Sequence, residues 1–310
     1  MLASFLTVSQ QVAILFILIG IGFICGKTKF LADTAVTGMT DFVLYIVTPC
    51  VMLQAFQRPF DAALAGIFAQ AVFFALVSTA ASWLLARFTL HDGDPCRESV
   101  YRFAAIFSNC GFMALPLESA LLGPDGLFFG AAYLAVFNLT SWTLGLYMMS
   151  RNKELLSLKK LATNPGIIGV VLGLILFFTS TTLPEILETP VEYMAALNTP
   201  IPMIVIGYHL SHAKLRTIFR DVRSWLAMAE RLIIIPLIGL GFGLLIGMDP
   251  TALIACMIAL CAPTAAVCTM FSVIYAQDSE LSVSLVSTST LFSILTMPLI
   301  IVLTQMAVAA

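Results

Sequence analysis

The sequence predicts an all-α integral membrane protein with ten transmembrane helices, folded as two inverted five-helix repeats in which helices four and nine are broken. Composition, the placement of basic residues and two matched helix-breaking clusters predict it. Of 310 residues, 60% are hydrophobic and 10% charged, against about a quarter charged in soluble domains. That balance belongs to a chain that crosses a membrane repeatedly. Ten apolar segments follow one another, at about 8–26, 35–57, 62–88, 99–122, 126–150, 164–182, 190–212, 222–247, 250–275 and 279–307. Each approaches or exceeds the ~20 residues of a helical crossing. The hydrophilic breaks between them leave no room for a separate soluble domain.

Basic residues orient the segments. With the N-terminus outside, thirteen of the fifteen fall on the inward side: Lys27, Lys29, Arg87, Arg97, Arg102, Arg151, Lys153, Lys159, Lys160, Lys214, Arg216, Arg220 and Arg223. Arg58 is left on the outer side and Arg231 within a span. This asymmetry predicts a cell-membrane protein with both termini outside the cytoplasm. The first 26 residues carry no basic n-region, and Lys27 and Lys29 follow the apolar run. That order suits a first transmembrane helix and not a cleaved leader. The expected divisions are a first repeat over 1–150, a short cytoplasmic linker over 151–163 and a second repeat over 164–310. Five spans per half is an odd number, so a shared fold requires the second half to be inverted.

The third observation is the stretch Phe107-Ser-Asn-Cys-Gly-Phe-Met-Ala-Leu-Pro-Leu117 inside span four. Pro116 has no N–H for the carbonyl of Phe112, Gly111 eases non-helical dihedrals, and the Asn109 side chain can bond local backbone. Pro263 interrupts span nine as Pro116 interrupts span four. Pro49 in span two stands 62 residues before Gly111, and Pro202 in span seven stands 61 before Pro263. Matched discontinuities in two halves point to a binding site near the midplane. The two broken spans run in opposite directions, so each second half-helix starts near the midplane. Its free N–H groups and partial positive charge there favour an anion. Asn109 adds amide donors without burying a full charge, which suits a carboxylate. A capping role for the same side chain stands equally open.

The pattern Asn109-Cys-Gly111-Phe-Met-Ala-Leu-Pro116-Leu117, followed by Gly123, resembles the N-x-G-x-x-x-x-P-L signature of the auxin efflux carrier family, in its bacterial form related to the plant PIN-type carriers. The run Ala262 to Ala266 with Tyr275 and Asp278 beyond it, the Thr48-Pro49 pair, and Arg231 before Pro236 are similar to that family in the same spans and order. The resemblance covers essentially the whole chain. It implies inverted repeats whose spans four and nine cross at their broken points, a bile-acid-symporter and NhaA-like arrangement. It implies a scaffold of spans one, two, six and seven, past which spans three to five and eight to ten move as an elevator. The implied substrate site is Asn109, Gly111, Pro116, Pro263, Thr264 and Pro49, with Asn109 as anion ligand and the prolines shaping the crossover. A homodimer is implied as well. The plant carriers have a long cytoplasmic loop between the halves, whereas here residues 151–163 are all there is. Regulation through such a loop is therefore not implied, and nothing makes auxin the substrate.

Other polar residues in or near the spans have plainer roles open to them. Glu118, just past the break, is a candidate for coupling transport to protons; hydration near the outer interface is the competing reading. Arg231, next to Glu230 in span eight, is expected to snorkel inward or to pair with a carboxylate, structural use outweighing substrate contact. Asp41 and Asp278 read as boundary residues, and His91, His209 and His212 lie at span ends. The seven cysteines show no metal spacing and no disulfide framework. Gly239-Leu-Gly241-Phe-Gly243 lies in an apolar helix with no strand before it and is no nucleotide fingerprint. Gly169-x-x-x-Gly173 suits close helix approach. No cofactor, metal or nucleic acid is called for. The predicted function is a secondary transporter in the lipid bilayer for a small organic anion, such as a carboxylate or auxin-like acid, with a proton as candidate coupling partner. The alternative is an uncoupled facilitator or channel. An intramembrane enzyme is weaker still, because no histidine or pair of facing carboxylates stands at membrane depth.

Overall fold

A computed structural model describes residues 2–152, 163–213, 218 and 220–309. The described residues are helical, without a β-strand. In order they form α1 (Leu2–Lys27), α2 (Asp33–Ala55), α3 (Ala62–Thr89) and α4 (Pro95–Ile106). Then come α5 (Cys110–Ser150), α6 (Pro165–Phe178), α7 (Glu185–Ala196) and α8 (Pro200–His212). The last four are α9 (Val222–Leu245), α10 (Pro250–Cys261), α11 (Val267–Ile274) and α12 (Ser279–Ala309). Six of these, α1, α2, α3, α5, α9 and α12, are long and apolar enough to cross a membrane. The other apolar segments are built from shorter pieces. Span four is divided between α4 and the start of α5, and span nine between α10 and α11. Span seven, expected from residue 190, begins earlier at Glu185 and turns at Leu197–Thr199 before Pro200 opens α8. Most of the expected linker, with Lys153, Lys159 and Lys160, lies outside the described residues, as do Lys214 and Arg216.

Three widened π turns, Val43–Val47, Cys110–Ala114 and Glu230–Ile234, each end two residues before a proline, at Pro49, Pro116 and Pro236. A proline withholds a donor and drives its ring at the carbonyl four residues back. One extra residue in the preceding turn moves that carbonyl aside, and the helix continues. In the first turn Thr48 Oγ1 donates to the Val43 carbonyl at 2.9 Å. This corrects the expectation for Pro116. The proline lies inside continuous helix, and span four is interrupted earlier, at Phe107–Asn109. Further on, Gly123 adopts φ 62° and ψ −143°, a left-handed turn that glycine makes without strain and that reverses α5.

Glycines let particular helices touch. A Cβ on Gly207 of α8 would collide with the Ile19 carbonyl oxygen of α1, and one on Gly22 with that of Ile204. The Gly169 and Gly173 pair works as expected: α6 rests on the Pro49 backbone, 2.8 Å from a Cβ built on Gly169, and on the Phe56 ring. Gly207→Ala is expected to push α1 and α8 apart at a cost of about 1–3 kcal/mol, read as a lower melting temperature. Gly66→Ala, where a new Cβ meets nothing, is the control that leaves it unchanged or raised.

One end of the bundle is tied by charge. Arg97 reaches Asp221 at 3.4 Å, Arg102 reaches Glu98 at 2.8 Å and Arg223 reaches Asp92 at 3.1 Å. Arg223 Nε also donates to the His91 carbonyl at 2.7 Å. These contacts join the end of α3 to the starts of α4 and α9. Burial opposes ionisation of Asp221, but hydrogen bonds from Tyr101, Ser224 and the Arg223 N–H, with the charge of Arg97, prevail and hold its carboxyl below the usual range.

Candidate functional site

The two interruptions lie against each other. Ser108, between α4 and α5, pairs antiparallel with Thr264, between α10 and α11. The Asn109 N–H donates to the Pro263 carbonyl at 2.7 Å, and the Ala265 N–H donates to the Phe107 carbonyl at 2.9 Å. Each break frees backbone groups that hydrocarbon cannot solvate, and each supplies the partners the other lacks. Pro263 is tolerated because an extended break has no helical ladder for its missing donor to serve. Thr264 locks the arrangement: its Oγ1 donates to the Ala104 carbonyl in the last turn of α4 at 3.0 Å, and its N–H donates to Ser289 Oγ of α12 at 3.2 Å.

Arg231 is the residue whose place the sequence did not reveal. It is fully buried and neither snorkels nor pairs with a carboxylate. Its Nη1 donates to the carbonyls of Ala105 and Ile106 at 3.2 and 2.8 Å, and its Nη2 donates to the carbonyl of Leu260. One guanidinium from α9 therefore caps the C-terminal ends of both α4 and α10. Each such end carries about half a negative charge, so one arginine offsets both. The positive N-terminal ends of the following half-helices, at Cys110 and Val267, remain. An arginine among apolar residues was the signal; its partners are main-chain carbonyls, which no residue pattern encodes. Glu230 beside it turns the other way and accepts from Thr89 Oγ1.

Asn109 is 3% exposed, and its Nδ2 has no hydrogen-bond partner. Its backbone, not its side chain, does the capping, since no side-chain cap bond is made and its carbonyl accepts from Met113 at 3.1 Å. Gly111 lies in the π turn, and its carbonyl accepts from Asn198 Nδ2 at 3.0 Å. Thr264 and Pro263 join Asn109 at the crossing. Pro49 serves the contact with Gly169, and Pro116 opens the α-helical part of α5 one turn beyond Gly111. Glu118 is fully buried with neither carboxylate oxygen hydrogen-bonded, seated against Gly130 across the hairpin of α5. That excludes the hydrated interfacial reading. Asp278 is the boundary residue expected, accepting from the Leu281 N–H at 2.9 Å at the start of α12. A cavity of about 400 Å³ reaches Phe112 and Ala266, beside the two breaks, with Asp33, Asp41 and His209 among its polar walls.

Residues 7–301 match the family described as membrane transport protein, the auxin efflux carrier-like family. The chain belongs to this family. A relative described as an uncharacterized transporter, from Methanothermobacter thermautotrophicus, is 27% identical over 203 residues, which cover 63% of this chain and 65% of that protein. The match spans less than two thirds of that relative's length, and membership places this chain in a family described as membrane transport protein. The helices suited to crossing a membrane agree with that.

Proposed function

We propose that the protein is a secondary transporter carrying a small organic anion, a carboxylate or auxin-like acid, across the cell membrane by elevator-type alternating access. The observation that carries this reading is the crossing, where two half-helix N-termini converge beside the unpartnered Asn109 amide. Asn109 is the anion ligand, Gly111 and Thr264 line the site with backbone and hydroxyl groups, and Pro263, Pro116 and Pro49 set the courses of the helices around it. Counting α4 with the first arm of α5, and α7 with α8, and α10 with α11, gives ten spans in two sets of five, with both termini outside the cytoplasm. Two packed groups suit an elevator. The glycine contacts join α1 to α8 and α2 to α6, which is the scaffold. The charged network joins α3, α4 and α9, which belong to the moving unit. A homodimer through the scaffold completes the reading.

Glu118 is the coupling group. An ionised carboxylate without partners in an apolar core is costly and calls for a proton or a counter-charge. The test is a thermal-shift series on the purified protein with mono- and dicarboxylates and indole-3-acetate at several pH values. A carboxylate that binds the folded state raises the melting temperature with its concentration. Glu118→Gln is expected to keep that binding and to flatten its pH dependence. If no carboxylate shifts the melting temperature at any pH, the organic-anion assignment falls.

A further inference from the structure

A second cavity, of about 330 Å³, lies between the end of α2, the Gly123 turn of α5 and α7. It is at the opposite end of the bundle from the Asp221 network, since α3 runs from beside Arg58 to the network at His91. Its walls include Gln57, Arg58, Ser119, Glu188 and Glu192.

One wall offers donors. Arg58 Nη2 is held by Asp125 Oδ1 at 2.6 Å, and its guanidinium lies over the Phe128 ring, 4.9 Å from the centroid. Nη1 of the same fork is buried and has no partner. Gln57 Oε1 accepts from the Leu183 N–H at 2.9 Å, which fixes the orientation of the amide and leaves Nε2 as the free atom. That nitrogen is also buried without a partner. Buried donors are rarely left unmade, because each costs about 1–3 kcal/mol when unsatisfied. The other wall offers acceptors. Glu188 and Glu192 stand one helical turn apart on α7, and neither forms an ion pair among the described residues.

A simple anion would satisfy Arg58 and Gln57 but would face Glu188, Glu192 and Asp125. A simple cation would leave both donors unmade. A ligand carrying both charges satisfies both walls. We propose that this cavity binds a small ammonium carboxylate, an amino acid in its zwitterionic form. Its carboxylate lies on Arg58 Nη1 and Gln57 Nε2, and its ammonium faces Glu188 and Glu192. The site is separate from the helix crossing and does not depend on what the crossing carries.

The test is melting of the purified full chain with glycine, L-alanine or L-leucine, beside acetate and ethylamine at equal concentration. In Asn109→Ala, which lacks the crossing's anion ligand, at least one amino acid is expected to raise the melting temperature in a saturable way, while acetate and ethylamine do not. Glu188→Gln with Glu192→Gln, both changes on the rim, and separately Gln57→Leu, which leaves the Arg58–Asp125 pair in place, are each expected to weaken binding about tenfold or more, or ~1.4 kcal/mol. Asn109→Ala is expected to leave it unchanged. Absence of any amino-acid shift overturns the proposal. So does stabilisation of Asn109→Ala by acetate that survives the double glutamine change, which would mark a plain anion site in this cavity. Loss of the shift in Asn109→Ala would place the ligand at the crossing instead and overturn it too.

Discussion

Replacing Arg231 with methionine is expected to destabilise the protein by about 3–5 kcal/mol, the range seen when one side of a buried charged contact is removed. Arg231 donates to three carbonyls on two different helices. Methionine fills much of the space but strands those acceptors in a site without water. It also leaves the negative ends of α4 and α10 close together with nothing between them. Arg231→Lys separates charge from geometry. The guanidinium fork sends Nη1 to α4 and Nη2 to α10, whereas an ammonium is a point charge that cannot span both in the same way. The lysine variant should therefore melt between wild type and Arg231→Met. Carboxylate binding should be lost in Arg231→Met, because the two N-terminal ends at Cys110 and Val267 are presented together only while the crossing holds. Melting curves on the purified variants decide it: a methionine variant as stable as wild type would show that the carbonyl contacts do not hold the crossing.

How much of this could be read in the sequence depends on which groups make the contact. Where side-chain type alone decides, the contact is legible in the residues. Pro263 does mark the interruption of span nine, Gly169 and Gly173 do mark a close helix contact, and Asp278 does cap the helix that follows it. Pro116 misled because proline chemistry permits two outcomes, a break or a widened turn, and the choice depends on what the surrounding helices can supply. The break formed seven residues earlier, at Asn109, where the Pro263 carbonyl and the Ala265 N–H were waiting. In span seven Pro200 and Pro202 fit an unbroken apolar run as well as a turn, and the turn at Leu197–Thr199 forms just before them. Structural use of Arg231 was legible, but its partners were not. Its partners are carbonyls at the ends of two helices far apart in sequence, and they exist as acceptors only once both breaks have formed.

Replacing Asn109 with alanine should separate stability from binding in opposite directions. The structural contacts at this position belong to the main chain: the N–H reaches the Pro263 carbonyl and the carbonyl accepts from Met113. Alanine keeps both. The side-chain Nδ2 is buried and unpartnered, a condition that costs about 1–3 kcal/mol. Removing it should therefore leave the melting temperature of the unliganded protein unchanged or higher. The same removal takes away an unpartnered side-chain donor at the convergence of two helix N-termini. Carboxylate affinity should fall by tenfold or more, about 1.4 kcal/mol, and the carboxylate-dependent rise in melting temperature should shrink accordingly. Asn109→Asp is the complementary change, since it keeps the shape but sets a negative charge where the anion would lie, and it should abolish binding. A group retained for packing alone would give the reverse for alanine, a lower melting temperature with binding intact. An unpartnered amide that destabilises the empty protein has a physical reason to be there only if something else completes its hydrogen bonds.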